Sequence, residues 1–325
     1  MHSILPSVAD ILAARDRLAG RVRRTPLLRA DTVSQWLEGD VWLKLECEQE
    51  TGSFKLRGAT NVLASLDAAA RARGVVASSA GNHGLGIAAA ASALGIPAFV
   101  YVPRTAPAVK RDRIAALGAT IDASAPHYDA AEALAREHAR RTGALFVSPC
   151  TGVTLMAGQG TVALEVLEEL PTVRTIITSV GGGGLAGGIG GYLRGAAPHV
   201  THIGAQSVRT NAMARALASG KPADDDHRPT LCDGLAGLVD EEMLAQGRAA
   251  LDRIVVVPES VVADSIAYLW IDEGRKVEGA GAAGLAALLT GRAEPYEFPV
   301  VVIVSGGNID DSVHGQILAS NYNSE

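Results

Sequence analysis

A lysine set between two apolar residues is the first feature of this sequence that could do chemistry. Lys55 stands between Phe54 and Leu56, directly behind the turn-forming residues Thr51-Gly52-Ser53. Burying an unpaired lysine favours its neutral form. A neutral amine can attack a carbonyl carbon and form a Schiff base with an aldehyde. A lysine at the start of a surface helix is the ordinary interpretation, so the choice depends on the motifs that follow.

A run of four glycines, Gly181 to Gly184, follows an apolar stretch that we expect to be a buried strand. Backbone N–H groups and a helix dipole converge after such a strand, which makes an anion site that suits a phosphate. Gly182, Gly184 and Gly187 also match the dinucleotide fingerprint, which requires an acidic residue about 20 positions later. The sequence has Ala205-Gln206 there and no acid. A monophosphate is favoured, and a nucleotide-binding oxidoreductase stays as an alternative.

Two further loops rich in small polar residues follow apolar stretches. Ser78-Ser79-Ala80-Gly81-Asn82-His83-Gly84 is dense in hydrogen-bond donors and could hold a carboxylate. Ser305-Gly306-Gly307-Asn308 follows Val300 to Val304. Serine, glycine and asparagine are also ordinary turn residues. Ligands of open parallel sheets bind at the carboxyl ends of strands, so three such loops and one lysine indicate one shared ligand.

The elements that must position these loops alternate between strand and helix. Such alternation predicts an α/β fold with parallel sheets. The expected strands are 40–46, 75–78, 98–102, 119–122, 144–147, 175–180, 200–205, 253–257 and 300–304, and residues 25–28 are expected to form an extended turn. The expected helices are 7–18 with Ser7 as N-cap, 57–73, 109–117, 129–142 and 158–170.

Composition limits the class of protein. The chain has 325 residues, 48% of them apolar, and a formal charge of −6 that is not gathered into blocks. It therefore lacks the electrostatic signature of a nucleic-acid-binding protein. We expect no membrane span and no signal peptide. Cys47, Cys150 and Cys232 lack metal-type spacing, and their odd number suits a reducing, cytoplasmic location.

The four motifs together resemble one family. Ser53 to Ala59, Ser79 to His83, Gly181 to Leu185 and Ser305 to Asn308 occur in the order found in the serine/threonine dehydratases, which depend on pyridoxal 5'-phosphate (PLP). The resemblance covers the chain from near Val8 almost to its C-terminus. It implies the two-domain α/β fold of tryptophan synthase β chains (fold type II), with parallel-rich sheets flanked by helices. We expect a large cofactor domain of residues 1–48 plus 149–325, a small substrate-side domain of residues 49–148, and no regulatory domain.

The resemblance also implies roles for single residues. Lys55 is the Schiff-base lysine and the catalytic base, Phe54 lies against the ring, Asn82 contacts the ring hydroxyl and Ser305 the ring nitrogen. The phosphate is expected on Gly181, Gly182, Gly183, Gly184 and Leu185. The substrate is expected to contact Ser79, Ala80, Asn82, His83 and Cys150.

These roles imply a PLP-dependent ammonia-lyase that converts a 3-hydroxy amino acid to a 2-oxo acid and ammonia. Serine in place of an acid at position 305 weakens the ring as an electron sink, which suits β-elimination. Serine racemases of similar fold carry a second serine where this chain has Ala80, so a racemase is the less favoured alternative. The stretch 205–212 contains no carboxylate, so we expect no divalent metal there.

Other positions leave the substrate open. The His-Pro run usual in the family reads Ser148-Pro149-Cys150, which leaves threonine, serine or a bulkier analogue such as phenylserine as candidates. Glu278 matches a family glutamate near the ring, although a carboxylate at a helix N-terminus is an equally good explanation. A homodimer or homotetramer is expected, because relatives commonly form them.

Overall fold

The computed structural model describes residues 4–225 and 228–322, and its strands form one sheet of six and one of four. The strands are β1 (Leu27–Arg29), β2 (Val41–Lys44), β3 (Val75–Ser78), β4 (Ala98–Pro103), β5 (Thr120–Ala125), β6 (Leu145–Phe146), β7 (Thr175–Ser179), β8 (Thr201–Ser207), β9 (Arg253–Val257) and β10 (Val300–Ile303). The α-helices are α1 (Val8–Leu18), α2 (Asp31–Trp36), α3 (Lys55–Ala64), α4 (Ala68–Arg73), α5 (Asn82–Leu94), α6 (Ala108–Ala116), α7 (Tyr128–Thr142), α8 (Val153–Glu169), α9 (Gly184–Ala196), α10 (Ala212–Ser219), α11 (Glu241–Ala250), α12 (Glu259–Ile271), α13 (Gly279–Leu289) and α14 (Asp311–Tyr322). No helix in these ranges has both the length and the apolar character needed to cross a bilayer.

The six-stranded sheet has the order β1-β2-β10-β7-β8-β9 and is parallel except for β1, which pairs antiparallel with β2. Every residue of β7 and β10 is buried, as expected for central parallel strands covered by helices on both faces. In their register, Val301 of β10 lies between Trp42 of β2 and Ile176 of β7. The carboxyl ends of these three strands therefore lie side by side.

The four-stranded sheet has the order β5-β4-β3-β6 and is entirely parallel. Helices α5, α6 and α7 make its crossovers, so the alternation that predicts a parallel α/β fold is confirmed. Helix α3 packs onto the same core, because Leu56, Ala59 and Leu63 share a buried cluster with Ala77 and Val100. The helix that begins at Lys55 thus belongs to the side of the small sheet.

The backbones of helices α3 and α8 are also in close contact. A Cβ atom on Gly158 would lie 2.7 Å from Gly58 Cα, and one on Gly58 would lie 2.3 Å from Gln159 Nε2. Gly58 N donates a hydrogen bond to Gln159 Oε1 at 3.2 Å. Two glycines facing each other permit this approach. The start of α3 is therefore fixed against α8 as well as against the small sheet.

Four charged side chains, Lys44, Glu46, Arg57 and Glu165, are buried between β2, α3 and α8. Arg57 donates to both carboxylate oxygens of Glu46 at 2.8 Å, and to those of Glu165 at 2.6 and 2.9 Å. Lys44 Nζ lies 2.7 Å from Glu165 Oε2. Every charge in this buried cluster meets an opposite one, so the loss of one member leaves an uncompensated buried charge.

Three sequence-based boundaries are wrong. The single helix expected over 57–73 is divided into α3 and α4, because Asp67 accepts a hydrogen bond from Ala70 N at 2.7 Å and caps a new helix. The helix expected from 158 begins at Val153, after Gly152 turns the chain with a φ of 104°. The turn expected at 25–28 contains the start of β1, whose short pairing with β2 lacks an apolar alternation.

Candidate active site

Three loops at the carboxyl ends of β3, β7 and β10 meet beside the start of α3; they comprise residues 79–84, 180–184 and 305–308. The segment before Lys55 pairs with the last of these loops. Ser53 forms an antiparallel bridge with Gly306, and Phe54 N donates to Ser305 O at 3.1 Å. The four motifs that the sequence associates with one ligand therefore lie together.

Lys55 is the first residue of α3 and is half-buried. Its Nζ atom donates to Pro149 O at 2.7 Å and lies 5.1 Å from the centroid of the Phe54 ring. Desolvation lowers the pKa of the Lys55 amine, and the nearby Cys150 and Glu278 oppose that shift only in part. The amine is thus shifted towards its neutral, nucleophilic form.

The glycine loop leads from β7 into α9. Gly183 is the N-cap of α9 with a φ of 90°, a conformation that favours glycine. A Cβ atom on Gly182 would lie 2.5 Å from Cys150 Sγ, and one on Gly184 would lie 2.8 Å from Cys150 Cα. No side chain of the described residues caps this helix, so its first N–H groups are available to an anion. Leu185 follows in the first turn and is buried in the same apolar cluster that Phe54 contacts.

The loop after β3 opens α5, and Gly81 is its N-cap without a capping side chain. Ser79 Oγ accepts from Gly81 N at 3.1 Å, while Ala80 lines a neighbouring cleft. His83 is buried, and its Nε2 lies 3.0 Å from Val147 O. Burial, with a smaller contribution from Lys55, lowers the pKa of His83 to about 3. The imidazole is therefore neutral and engaged, which leaves the backbone N–H groups at the start of α5 as the donors for a carboxylate.

Cys150 lies between Lys55 and the glycine loop. Its side chain is buried, and Sγ is 3.9 Å from Met243 Sδ. Burial raises the pKa of the Cys150 thiol to about 11, against the opposing effect of Lys55. At neutral pH this residue is a neutral thiol and forms an apolar wall of the site.

Ser305 and Glu278 both lie at the start of α13. Ser305 is buried, and its Oγ donates to Ala280 O at 3.3 Å. Glu278 is the N-cap of α13 and is also buried. Burial, reinforced by Asp233, raises the pKa of Glu278 to about 7.

The sequence does not indicate a series of side-chain hydrogen bonds that ends at Glu278. Arg113 Nη2 donates to Asn308 Oδ1 at 2.9 Å, Asn308 Nδ2 donates to Asn82 Oδ1 at 2.7 Å, and Asn82 Nδ2 donates to Glu278 Oε1 at 2.6 Å. All four residues line a cleft of about 420 Å³. We call this series the cleft chain. Arg113 is one of several cations on an amphipathic helix, so no sequence motif marks it.

A carboxylate reaches the stretch 205–212 from elsewhere in the chain. Glu259, in the first turn of α12, accepts from Ser207 Oγ, from Thr230 Oγ1 at 2.7 Å and from Leu231 N at 2.6 Å. Protein donors therefore already occupy its oxygens. Within residues 4–225 and 228–322, no three histidine, cysteine, aspartate or glutamate residues cluster as metal ligands do.

The site fits the cofactor that the family resemblance implies. The amine of Lys55 contacts Pro149, and the glycine loop contacts the next residue, Cys150. Ser179 Oγ, two residues before the glycines, is buried without a partner among the described residues. A phosphate would fit on the glycine loop close to this hydroxyl, and an aldehyde would react with the amine of Lys55.

Comparison with known proteins gives a consistent result. The family described as pyridoxal-phosphate dependent enzyme matches residues 18–306. An L-threonine ammonia-lyase of Thermotoga maritima is 38% identical over 316 residues, which cover 96% of this chain and 78% of the relative. A catabolic L-threonine dehydratase of Escherichia coli is 37% identical over 317 residues, or 96% of this chain and 95% of the relative. The structure of maize serine racemase matches with a TM-score of 0.90 at 30% identity and covers 98% of this chain and 99% of its own.

Proposed function

The chain belongs to the family of pyridoxal-phosphate-dependent enzymes, and from that premise we propose that it is an ammonia-lyase for 3-hydroxy amino acids. The reaction is the β-elimination of water followed by hydrolysis, which returns the water and gives a 2-oxo acid and ammonia. Threonine, serine or a bulkier analogue such as phenylserine is the substrate. The two relatives named for threonine ammonia-lyase or dehydratase activity, at 38% and 37% identity, support this reaction class.

One observation carries the proposal: Lys55 contacts Pro149, and the glycine loop contacts the next residue, Cys150. Lys55 Nζ is 2.7 Å from Pro149 O, and Cys150 packs so closely on Gly182 and Gly184 that a side chain on either glycine would collide with it. This spacing suits one small ligand that carries an aldehyde at one end and a phosphate at the other. A dinucleotide would leave Lys55 without a role.

The chain's own groups account for the proton and the carboxylate. When bound, PLP supplies the aldehyde that takes the substrate's amino group and the electron sink for the bond that breaks. The amine of Lys55, kept towards its neutral form by burial, accepts the α-proton at Nζ. The N–H groups at the start of α5 bind the substrate carboxylate, because no described side chain caps that helix. The thiol of Cys150 excludes water beside the substrate.

A racemase is the second candidate, because maize serine racemase matches the fold with a TM-score of 0.90. Racemisation requires a second acid–base group on the face of the substrate opposite Lys55. Racemases of this fold place a serine at the position of Ala80, and alanine has no proton to exchange. His83 is a poor replacement, because burial lowers its pKa to about 3 and makes the ring a weak base, and its Nε2 is bonded to Val147 O. Elimination is therefore favoured.

Other features of the chain belong to the same proposal. We place the enzyme in the cytoplasm, which its free Cys47, Cys150 and Cys232 support. The two sheets support a large domain of residues 1–48 plus 149–325 and a small one of residues 49–148. A homodimer or homotetramer is proposed, and light scattering of the purified protein tests it.

Borohydride trapping and a substrate panel test the function. Reduction of the purified protein should fix the visible chromophore on Lys55, which peptide mapping identifies. Threonine, serine and phenylserine are then assayed for ammonia, 2-oxo acid and inverted amino acid. Release of ammonia with the 2-oxo acid supports the lyase, whereas inversion without ammonia would establish the racemase. A label on another lysine would refute the site assignment.

A further inference from the structure

The cleft chain has a fixed direction, because one of its ends can only donate. A guanidinium group has five N–H donors and no acceptor. Arg113 therefore requires the oxygen of the Asn308 amide to face it, which turns Asn308 Nδ2 towards Asn82 Oδ1. Asn82 must then present its Nδ2 on the other side, where Glu278 Oε1 accepts at 2.6 Å. Arg113 thus sets the orientation of the Asn82 amide through Asn308, although it does not bond to Asn82 itself.

A second contact holds the middle of the cleft chain. Asn308 Nδ2 also donates to the backbone carbonyl of Thr51 at 2.8 Å. The carboxylate of Glu278 packs directly on Gly306, two residues earlier, because a Cβ atom there would lie 2.3 Å from Glu278 Oε1. Asn308 therefore has two anchors, Thr51 from the segment before α3 and Arg113 from α6. Of these two anchors, only Arg113 carries a charge, and that charge polarises the amides of Asn308 and Asn82.

Arg113 has no competing ionic partner among the described residues. Lys110, one turn earlier on α6, pairs with Asp233 at 3.5 Å, whereas Arg113 donates to the Asn308 amide. A charged donor to a neutral amide is a strong form of hydrogen bond. The contact also joins α6, which packs on the small sheet, to the loop after β10 of the large sheet.

We propose that Arg113 is a positioning residue that acts through Asn308 to aim the Nδ2 group of Asn82 into the cofactor site. The inference deepens the proposed function, because it rests on the binding of PLP beside Asn82. Asn82 offers a donor to an oxygen on the ring edge only in the orientation that the cleft chain imposes. In this role Arg113 acts through its bond to Asn308, and its removal takes away one anchor and the polarising charge.

Four variants of the holoenzyme test the proposal. Arg113→Met removes the donor, Arg113→Lys keeps a charged donor, and Arg111→Met removes the same charge from the same helix outside the cleft. Asn308→Asp keeps the shape but sets an acceptor against Thr51 O and Asn82 Oδ1, which should turn the Asn82 amide over. The readouts are the dissociation constant of PLP by equilibrium dialysis, the absorption maximum of bound PLP, and the melting temperature.

We expect Arg113→Met to raise the dissociation constant about tenfold and to shift the absorption maximum. Arg113→Lys should recover most of the affinity, Arg111→Met should bind as the wild type does, and Asn308→Asp should lose at least as much as Arg113→Met. Wild-type binding by Arg113→Met or by Asn308→Asp would overturn the proposal. Equal losses of PLP affinity in Arg113→Met and Arg111→Met would also overturn it. PLP binding is read without turnover, so a wild type that binds PLP but releases no ammonia refutes the lyase function alone.

Discussion

The amine of Lys55 donates a hydrogen bond to the carbonyl oxygen of Pro149 at 2.7 Å, across 94 positions of the chain. This contact joins the first residue of the helix that packs on the small sheet to the segment that leads into α8. Cys150, the next residue, packs against the glycine loop. One short segment thus sets the distance between the amine and the anion site. A carbonyl accepts from a neutral amine as well as from an ammonium, so the contact is compatible with the lowered pKa of Lys55.

Lys55→Ala removes the only group that we assign as base. Ammonia release should fall by about 10³-fold or more, and reduction with borohydride should no longer fix the chromophore on the chain. The surface variant Lys221→Ala should keep both properties. The measurement is a coupled assay of the 2-oxo acid together with the mass of the reduced protein. Substantial turnover by Lys55→Ala would assign the base to another residue.

Gly184→Ala places a methyl group 2.8 Å from the backbone of Cys150. Because backbone atoms cannot yield as a flexible side chain can, the loop must shift, at a cost of about 1–3 kcal/mol. We expect weaker PLP binding and a lower melting temperature. Gly315→Ala is the matched control, since Gly315 lies inside α14 and a Cβ atom there meets nothing within 4 Å. That change should stabilise the protein by about 0.5–1 kcal/mol. Unchanged PLP affinity in Gly184→Ala would separate this loop from the phosphate.

Ala80→Ser tests why elimination is favoured over racemisation. The wild type should release ammonia from L-serine and form no D-serine. A hydroxyl at position 80 gives the opposite face a group that can exchange a proton, so the ratio of inversion to elimination should rise. Chiral chromatography of the products gives this ratio. Ala80→Val, which adds bulk without a hydroxyl, controls for altered shape and should not raise it. If the wild type itself forms D-serine as fast as ammonia, the argument from Ala80 is wrong.

Arg57→Met breaks the buried charge cluster and should destabilise the protein by about 3–5 kcal/mol, because Glu46 and Glu165 would be left without their common partner. Arg140→Ala is the control. Its ion pair with Glu137 lies at the surface, where such pairs contribute about 0.2–1 kcal/mol. Denaturant unfolding of both variants measures the difference. A loss in Arg57→Met no larger than that in Arg140→Ala would mean that the cluster relaxes or admits water.

The sequence predicts the motifs of the site but not the contacts between them. Parallel strands place their carboxyl ends on one edge of a sheet, so loops after β3, β7 and β10 could be expected to converge. The pairing of Arg113 with Asn308 joins residues 195 positions apart. This pairing depends on how α6, which packs on the small sheet, is oriented towards the loop after β10 of the large sheet. No local sequence pattern encodes that orientation. The ion pair between Arg57 and Glu165 is hidden for the same reason. The break before α4 is different, since Asp67 is a local capping signal.

The pKa of Glu278 makes the stability of the protein depend on pH. Burial raises it to about 7 from an ordinary value of 4.5. Between those two values the unfolded chain has released this proton while the folded protein still holds it. The unfolded state then binds fewer protons, and the free energy of unfolding falls as the pH rises through this window. The contribution that Glu278 makes below pH 4.5 is lost above pH 7, and it amounts to about 3 kcal/mol.

Glu278→Gln should remove this dependence, because an amide does not titrate in that range while its oxygen can still accept from Asn82 Nδ2. The free energy of unfolding is measured for both proteins at pH 5 and pH 8 with the same concentration of PLP. Other titrating groups contribute equally to both and cancel in the comparison. The wild type should lose about 2.5 kcal/mol more than Glu278→Gln on going from pH 5 to pH 8. Parallel losses in the two proteins would mean that Glu278 is already ionised at pH 5, held so by its bond to Asn82.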